Sequence, residues 1–117
     1  MLDREKREWK RIAVDLVARC RAVDGPARYD DMRIVDMHHQ GCCLEGHVPF
    51  NKGDQVRIIV QIPFEGQISL TGEVVWSGIV DKNDGSRTGV RFLVDSVLVE
   101  EAVLKLYHYC LLCQPKD

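Results

Sequence analysis

The middle of the chain alternates apolar and polar residues with the period of two that is typical of half-buried β-strands. The expected inward positions of two such strands are Val56, Ile58, Val60 and Ile62, followed by Ile68, Leu70, Val74 and Trp76. The pattern therefore places Trp76 in the core at the end of a long strand. Gly72 interrupts that strand and predicts a bulge or bend there.

Weaker alternation predicts further strands on either side of this pair. Two lie earlier, over residues 12–23 and 29–37, with Met32, Ile34 and Asp36 on alternating positions of the second. A short apolar run follows at 42–44, and Val90 and Phe92 mark the last strand. Turn signals rich in Gly, Pro, Asn and Asp separate these segments, at 24–26, 49–54, 63–66 and 81–86.

The period then changes to that of an amphipathic helix, which Asp95 or Ser96 can cap. Its apolar stripe contains Val99, Ala102, Val103, Leu106, Cys110 and Cys113, and the apolar surface is widened by Leu104, Tyr107, Leu111 and Leu112. The wider surface suits either the core or a homodimer or partner interface. Several short strands followed by one helix predict a mainly β fold, a small antiparallel barrel with a C-terminal α-helix packed on it.

Composition narrows the class of protein. The chain has 117 residues, of which 45% are hydrophobic, enough for a single domain with one core. A formal charge of −2 argues against a DNA- or RNA-binding protein. No apolar run approaches the roughly 20 residues of a membrane helix, so we expect no membrane insertion. Five cysteines without an apolar leader predict reduced thiols and a cytoplasmic protein.

Positive charge is concentrated at the start of the chain, in residues 4–11. We therefore predict three parts of one domain: a flexible basic N-terminal arm at 1–11, a β-barrel at 12–95 and a C-terminal helix at 96–113. A confined positive field suits a small anion better than a nucleic-acid duplex.

Four residues in this arrangement suit a guanine-bearing anion. Arg7 and Arg11 lie four positions apart, and an arginine fork can bond a guanine edge, stack on a base or pair with phosphate. Asp36 can accept hydrogen bonds from guanine N–H groups. Gly41 lets backbone approach a ligand closely.

Other candidate chemistry is weaker. His38, His39, Cys42, Cys43 and His47 have metal-binding side chains, but adjacent strand residues point to opposite faces, so no metal site is predicted. A pair at Cys110 and Cys113 falls on the helical stripe, which favours buried small hydrophobes over a redox site. No base, nucleophile and orienting group occur together, so we expect no enzyme.

The ordered series of motifs resembles the PilZ domain, a bacterial receptor module for cyclic di-GMP. Arg7 and Arg11 match the family's R-x-x-x-R motif, and Asp36 and Gly41 match the ends of its [D/N]-x-S-x-x-G motif. Further cues lie at 52–54, 72–76 and 89–92, so the resemblance spans about residues 4–95.

The resemblance implies a six-stranded antiparallel β-barrel without catalysis or a cofactor. Its implied ligand is cyclic di-GMP, contacted by Arg7, Arg11, Asp36, His38 and Gly41. The arm is expected to fold over the ligand and to change the surface that a downstream protein partner contacts.

The chain departs from the family at one motif position, where His38 replaces serine. Imidazole can donate and accept like a hydroxyl, but it is bulkier and its protonation varies near neutral pH. Two alternative functions therefore follow from the sequence: a cyclic di-GMP receptor, and a protein-interaction adaptor of the same fold that does not bind the nucleotide.

Overall fold

The computed structural model describes residues 10–79 and 85–113. The predicted arm up to Trp9, which includes Arg7, and most of the predicted loop at 81–86 lie outside the described residues. The strands are β1 (Ile12–Ala22), β2 (Asp30–His38), β3 (Gly41–Gly46), β4 (Gln55–Ile62), β5 (Gly66–Ile79) and β6 (Ser86–Phe92). They close into one antiparallel barrel in the order β1-β2-β3-β6-β5-β4, which confirms the predicted fold class.

Inward side chains of all six strands fill the barrel. The four alternating positions of β4 are no more than 1% exposed, as the sequence predicted: Val56, Ile58, Val60 and Ile62. They pack in one cluster with apolar residues of the other strands and of the helix. Burial of this continuous apolar interior is the main force that holds the strands together.

Two bulges break the alternation that the sequence suggested. In β2 the register against β3 shifts between Ile34 and Asp36, so that Met37 takes the next inward position. In β5 the register against β6 shifts between Val74 and Trp76. A bulge adds one residue to a strand and turns the following side chains to the other face.

These bulges correct two predictions. Asp36 does not continue the inward series of β2, and Trp76 is not a core residue, since 48% of its surface is exposed. The bulge predicted at Gly72 is also wrong, because this residue pairs regularly with both neighbouring strands. Glycine is required there for space, since a Cβ would collide with the side chain of Val90.

Helix α1 (Val97–Cys113) packs its apolar stripe against the barrel. Ser96, rather than Asp95, caps it, because its Oγ accepts a hydrogen bond from the Val99 amide at 3.2 Å. The buried helix residues are Val103, Leu106, Tyr107 and Cys110. Cys113 was predicted among them but is exposed, because it lies in the final turn, where residues 111–113 are all exposed.

Membrane-spanning helices were searched for across residues 10–79 and 85–113. None of the helices there is both long and apolar enough to cross a membrane.

Candidate functional site

Strand register aligns distant parts of the chain into one row across the barrel wall. Ala13 pairs with Asp36, which pairs with Cys43, which pairs with Gly89, which pairs with Trp76. The row crosses β1, β2, β3, β6 and β5 without a gap. Both bulges fall beside it, so the side chains of β2 and β5 face outward together here.

A second row runs parallel to the first, at the ends of β2, β3 and β6 and in the middle of β5. His38 pairs with Gly41, Gly41 with Arg91, and Arg91 with Glu73. Between the two rows lies a cavity of about 240 Å³. It is lined by Arg11, Asp36, His38, Gln40, Gly41, Cys42, Cys43, Val75, Trp76, Gly89, Val90 and Arg91.

Two glycines form the floor of this cavity because no side chain fits at either position. A Cβ at Gly41 would collide with the carbonyl oxygen of Val90, and a Cβ at Gly89 would collide with the indole of Trp76. The backbone of β6 at Gly41 and the indole of Trp76 at Gly89 take the space that a side chain would need. The predicted approach of a ligand to Gly41 stays a prediction.

Asp36 supplies an acceptor with spare capacity. Its Oδ2 lies 3.4 Å from Nη1 of Arg11. Its Oδ1 is buried and has no hydrogen-bond partner in the described part of the chain. An ionised carboxylate oxygen that is removed from water without a partner is costly, and a ligand N–H group can relieve that cost.

His38 presents a neutral imidazole to the same cavity. Burial lowers the pKa of His38, the positive charge of Arg11 lowers it further, and only Asp36 opposes this shift. The backbone amide of Gln40 donates to Nδ1 at 3.1 Å. The neutral ring therefore carries its proton on Nε2, which makes that atom the donor.

Trp76 and Arg91 belong to the site although the sequence analysis did not assign them to it. Arg91 is exposed, and its Nη2 is held by Glu73 Oε1 at 2.6 Å. Trp76 offers a half-exposed aromatic face over Gly89. Arg91 was detectable as the outward residue between inward Val90 and Phe92, but nothing local in the sequence signalled the bulge that exposes Trp76.

The start of the described chain is fixed beside the cavity by the helix. The hydroxyl of Tyr107, which is 2% exposed, donates to the carbonyl of Lys10 at 2.8 Å. Arg11 follows directly and has a largely exposed side chain, with 69% of its surface accessible. The backbone at Lys10 is therefore fixed next to Arg11, which lines the cavity.

The cysteines near the site are poorly suited to metal or nucleophilic chemistry. Burial raises the pKa of Cys42 well above its ordinary value and also raises that of Cys43. Both thiols therefore stay protonated at neutral pH. Within residues 10–79 and 85–113, no three His, Cys, Asp or Glu side chains are arranged to hold a metal ion.

Of the five residues predicted for the site, the structure brings four to one cavity. Arg11, Asp36, His38 and Gly41 all line it. Arg7 lies outside the described residues.

A family model described as PilZ domain matches residues 5–108 of the chain. Solved structures give the same result for the fold. The PilZ domain of CeSA from a cellulose-synthesizing bacterium superposes with a TM-score of 0.68 at 18% identity, covering 83% of this chain and 93% of that one. The PilZ domain of YcgR from Escherichia coli, solved with c-di-GMP, gives a TM-score of 0.68 at 16% identity, covering 91% and 92%.

The Bacillus subtilis inhibitor of motility (MotI/DgrA) matches with a TM-score of 0.66 at 16% identity. The match covers 89% of this chain but only 49% of that one, so this chain spans about half the length of that protein. No curated protein sequence is significantly similar to the chain.

Proposed function

The chain belongs to the PilZ domain family, and we propose that it is a cytoplasmic receptor for cyclic di-GMP that passes the signal to a protein partner. One observation carries the proposal: a single cavity holds Arg11, Asp36, His38 and Gly41, although the first and last are 30 positions apart in sequence (41 − 11). The side chains of this cavity offer a partner for each kind of group in a guanine nucleotide.

The polar groups of the cavity suit a guanine base. Asp36 Oδ1, which lacks a partner among the described groups, can accept from the Watson–Crick N–H groups. Arg11 offers the planar donors that bond the O6 and N7 edge or a phosphate. Gly41 lines the cavity without a side chain of its own, which favours close approach of the base to the strand.

Trp76 and Arg91 extend this recognition. An exposed indole is a stacking surface for a purine. Arg91 adds a second positive group for the phosphates, although its Nη2 is also paired with Glu73 Oε1 at 2.6 Å. The cavity of about 240 Å³ lies just below the roughly 300–1,000 Å³ of whole small-molecule pockets. It therefore accommodates one guanine, and the rest of the ligand lies beside it.

The arm at residues 1–11 supplies the remaining contacts in this proposal. Arg7 stands four positions before Arg11 and reaches the part of the ligand outside the cavity. When the arm closes over the nucleotide, the surface that a protein partner contacts changes. Binding energy therefore shifts the conformation that the partner recognises, without any catalysed reaction.

A second candidate function is an adaptor that does not bind the nucleotide. The observation in its favour is that Arg11 and Asp36 already form an ion pair at 3.4 Å, with the His38 ring beside them. A ligand has to compete with that ion pair and share the space with an imidazole.

Isothermal titration calorimetry with cyclic di-GMP distinguishes the two functions. The receptor function predicts saturable binding heat for the wild type. Arg11→Ala should weaken the free energy of binding by about 1–3 kcal/mol, the value of a bidentate contact. Arg57→Ala is the matched control, because Arg57 is exposed on β4 and does not line the cavity. Its affinity should equal that of the wild type.

Absence of heat from a wild-type chain that circular dichroism shows to be folded would establish the adaptor function. Recovery of binding in His38→Ser would then identify the imidazole as the group that excludes the nucleotide. Equal affinity of Arg11→Ala and the wild type would remove Arg11 from the site.

A further inference from the structure

A second surface, away from the cavity, is apolar and exposed. A groove of about 730 Å³ lies between the β4–β5 turn and helix α1. Phe64 at the turn is fully exposed and Leu112 of the helix is 84% exposed, and both line the groove. Leu98 and Val97, at the start of the helix and outside the lining, are 77% and 68% exposed. Large apolar side chains grouped in this way on a small protein mark an interaction surface.

The backbone at Phe64 supports a role in binding rather than in folding. Phe64 has a φ of 67°, the left-handed conformation that only glycine adopts without cost and that Asn tolerates. An exposed phenylalanine gains nothing from burial within its own chain. Folding alone therefore favours Gly or Asn at this position, and a partner that covers the ring explains phenylalanine.

The exposed residues of α1 occupy one side of the helix, opposite the buried stripe. The centre of this side spans an arc of roughly 140° at 100° per residue, and exposed Glu100 and Cys113 flank it. It comprises Val97, Leu98, Glu101, half-buried Leu104, Lys105, His108, Leu111 and Leu112. Apolar residues lie at both ends of this face, and the polar residues Glu101, Lys105 and His108 lie between them.

This order of residues is self-complementary about the middle of the helix. If two copies of the helix cross antiparallel with the twofold axis between residues 104 and 105, residue 97 meets residue 112 of the other copy and residue 98 meets residue 111. Both ends then form apolar contacts. A twofold interface requires such matching of a surface with itself.

The charges match in the same register. Glu101 of one copy faces His108 of the other, so an imidazole N–H can donate a hydrogen bond to the carboxylate across the interface. Lys105 is already paired with Glu65 of its own chain at 3.4 Å. The register also places Lys105 of each copy next to the axis and against Leu104 of the other, where each ammonium group keeps its own Glu65 as counter-ion.

We propose that a second copy of this chain covers this face, with its α1 antiparallel to the first and its apolar ends against Phe64, Val97 and Leu112. The proposal does not depend on nucleotide binding. Helix α1 has 17 residues and is about 25 Å long. One such helix pair with two turn tips makes a small interface, so we expect a weak dimer that dissociates on dilution.

Sedimentation equilibrium over a wide range of protein concentration tests the dimer. The wild type should change from monomer to dimer, and Leu112→Glu should weaken association at least tenfold. Ile79→Glu is the matched control, because Ile79 is 81% exposed but lies on β5. A wild type that stays monomeric, or a dimer that Leu112→Glu leaves intact, overturns the proposal.

Phe64→Asn separates binding from folding at this surface. The variant should raise the melting temperature of the monomer, because Asn tolerates the left-handed backbone, and should weaken self-association several-fold. Unchanged self-association would exclude Phe64 from the interface and overturn the proposed register.

A distance measurement tests the antiparallel arrangement. Cys113 is exposed, and in this register the two copies of residue 113 lie about 25 Å apart along the helix axis. Spin labels at Cys113, in a Cys43→Ser background, should report a separation of that size by pulsed electron paramagnetic resonance. A separation of a few ångströms would indicate parallel helices and contradict the proposal.

Discussion

Two glycines shape the cavity through the side chains that they lack. At Gly41 a Cβ would meet the Val90 carbonyl, which is strand backbone and cannot rotate away. Gly41→Ala should therefore destabilise the fold by about 1–3 kcal/mol, as overpacked positions do. Urea unfolding measures this loss.

Gly78→Ala is the control for that substitution. Gly78 also lies in a strand, but a Cβ there has no atom within 4 Å. We expect its stability to change by no more than about 0.5 kcal/mol. Similar losses in both variants would mean that strand propensity, rather than the collision at Gly41, determines the cost.

His38 should make folding sensitive to mild acid. Its pKa is lowered from 6.5, first by burial and then by Arg11. As pH falls through the ordinary value towards the lowered one, the unfolded chain binds a proton that the folded chain does not. The free energy of unfolding therefore decreases as pH falls through that window. Above the window the contribution of His38 to stability is complete.

Urea unfolding at pH 7.5 and pH 5.5 measures this contribution by comparison with His38→Ser. The variant should lose less stability than the wild type between the two pH values, because serine does not titrate. His39 has a pKa lowered by burial as well, so part of the acid sensitivity should remain. An identical decrease in both proteins would contradict the assignment to His38.

At the residue scale, motif spacing selected two residues that line one cavity, whereas strand alternation misplaced Trp76. Asp36 and Gly41 stood out because their spacing matches a family motif. Trp76 was placed in the core because strict alternation was extended past Val74, where a bulge intervenes. A bulge depends on the pairing partner as well as on the strand that contains it, so the sequence of one strand does not reveal it.

The contact between α1 and the start of β1 links two elements that are distant in sequence. Tyr107 donates to the Lys10 carbonyl at 2.8 Å. Tyr107→Phe should cost about 1 kcal/mol of stability, and amide exchange should become faster at residues 11–13. If the proposed receptor function holds, cyclic di-GMP affinity should also decrease, because Arg11 then has a less fixed backbone.

Tyr109→Phe tests whether this effect is specific. The hydroxyl of Tyr109 bonds to Cys113 within the same helix and does not reach the start of β1. Exchange at residues 11–13 should therefore stay at the wild-type rate. Equal acceleration in both variants would mean that loss of helix stability, and not the bond to Lys10, loosens the chain there.

At the scale of elements, the order and type of strands and helix followed from periodicity. The predicted inward positions of β4 are all buried, and the predicted switch from period two to period 3.6 matches the start of α1. The structure was needed to choose Ser96 over Asp95 as the cap, because both residues have suitable side chains.

At the scale of the molecule, the site depends on closure of the barrel. Its first row of residues crosses five strands, which pair in an order that differs from their order in sequence. β3 and β6, which form the floor at Gly41 and Gly89, are separated by two other strands along the chain. The cavity therefore forms only after β2, β3, β5 and β6, which lie far apart in sequence, have paired with one another.

This dependence makes the ligand a probe of global folding. A ligand that binds only the closed barrel stabilises it by RT ln(1 + [L]/Kd), about 2.7 kcal/mol at a hundredfold excess over Kd. Cyclic di-GMP should therefore raise the urea midpoint by that free energy and leave the m-value unchanged. We would measure this in Leu112→Glu, so that self-association does not contribute. A smaller midpoint shift accompanied by a changed m-value would mean that part of the barrel binds nucleotide before the rest has closed.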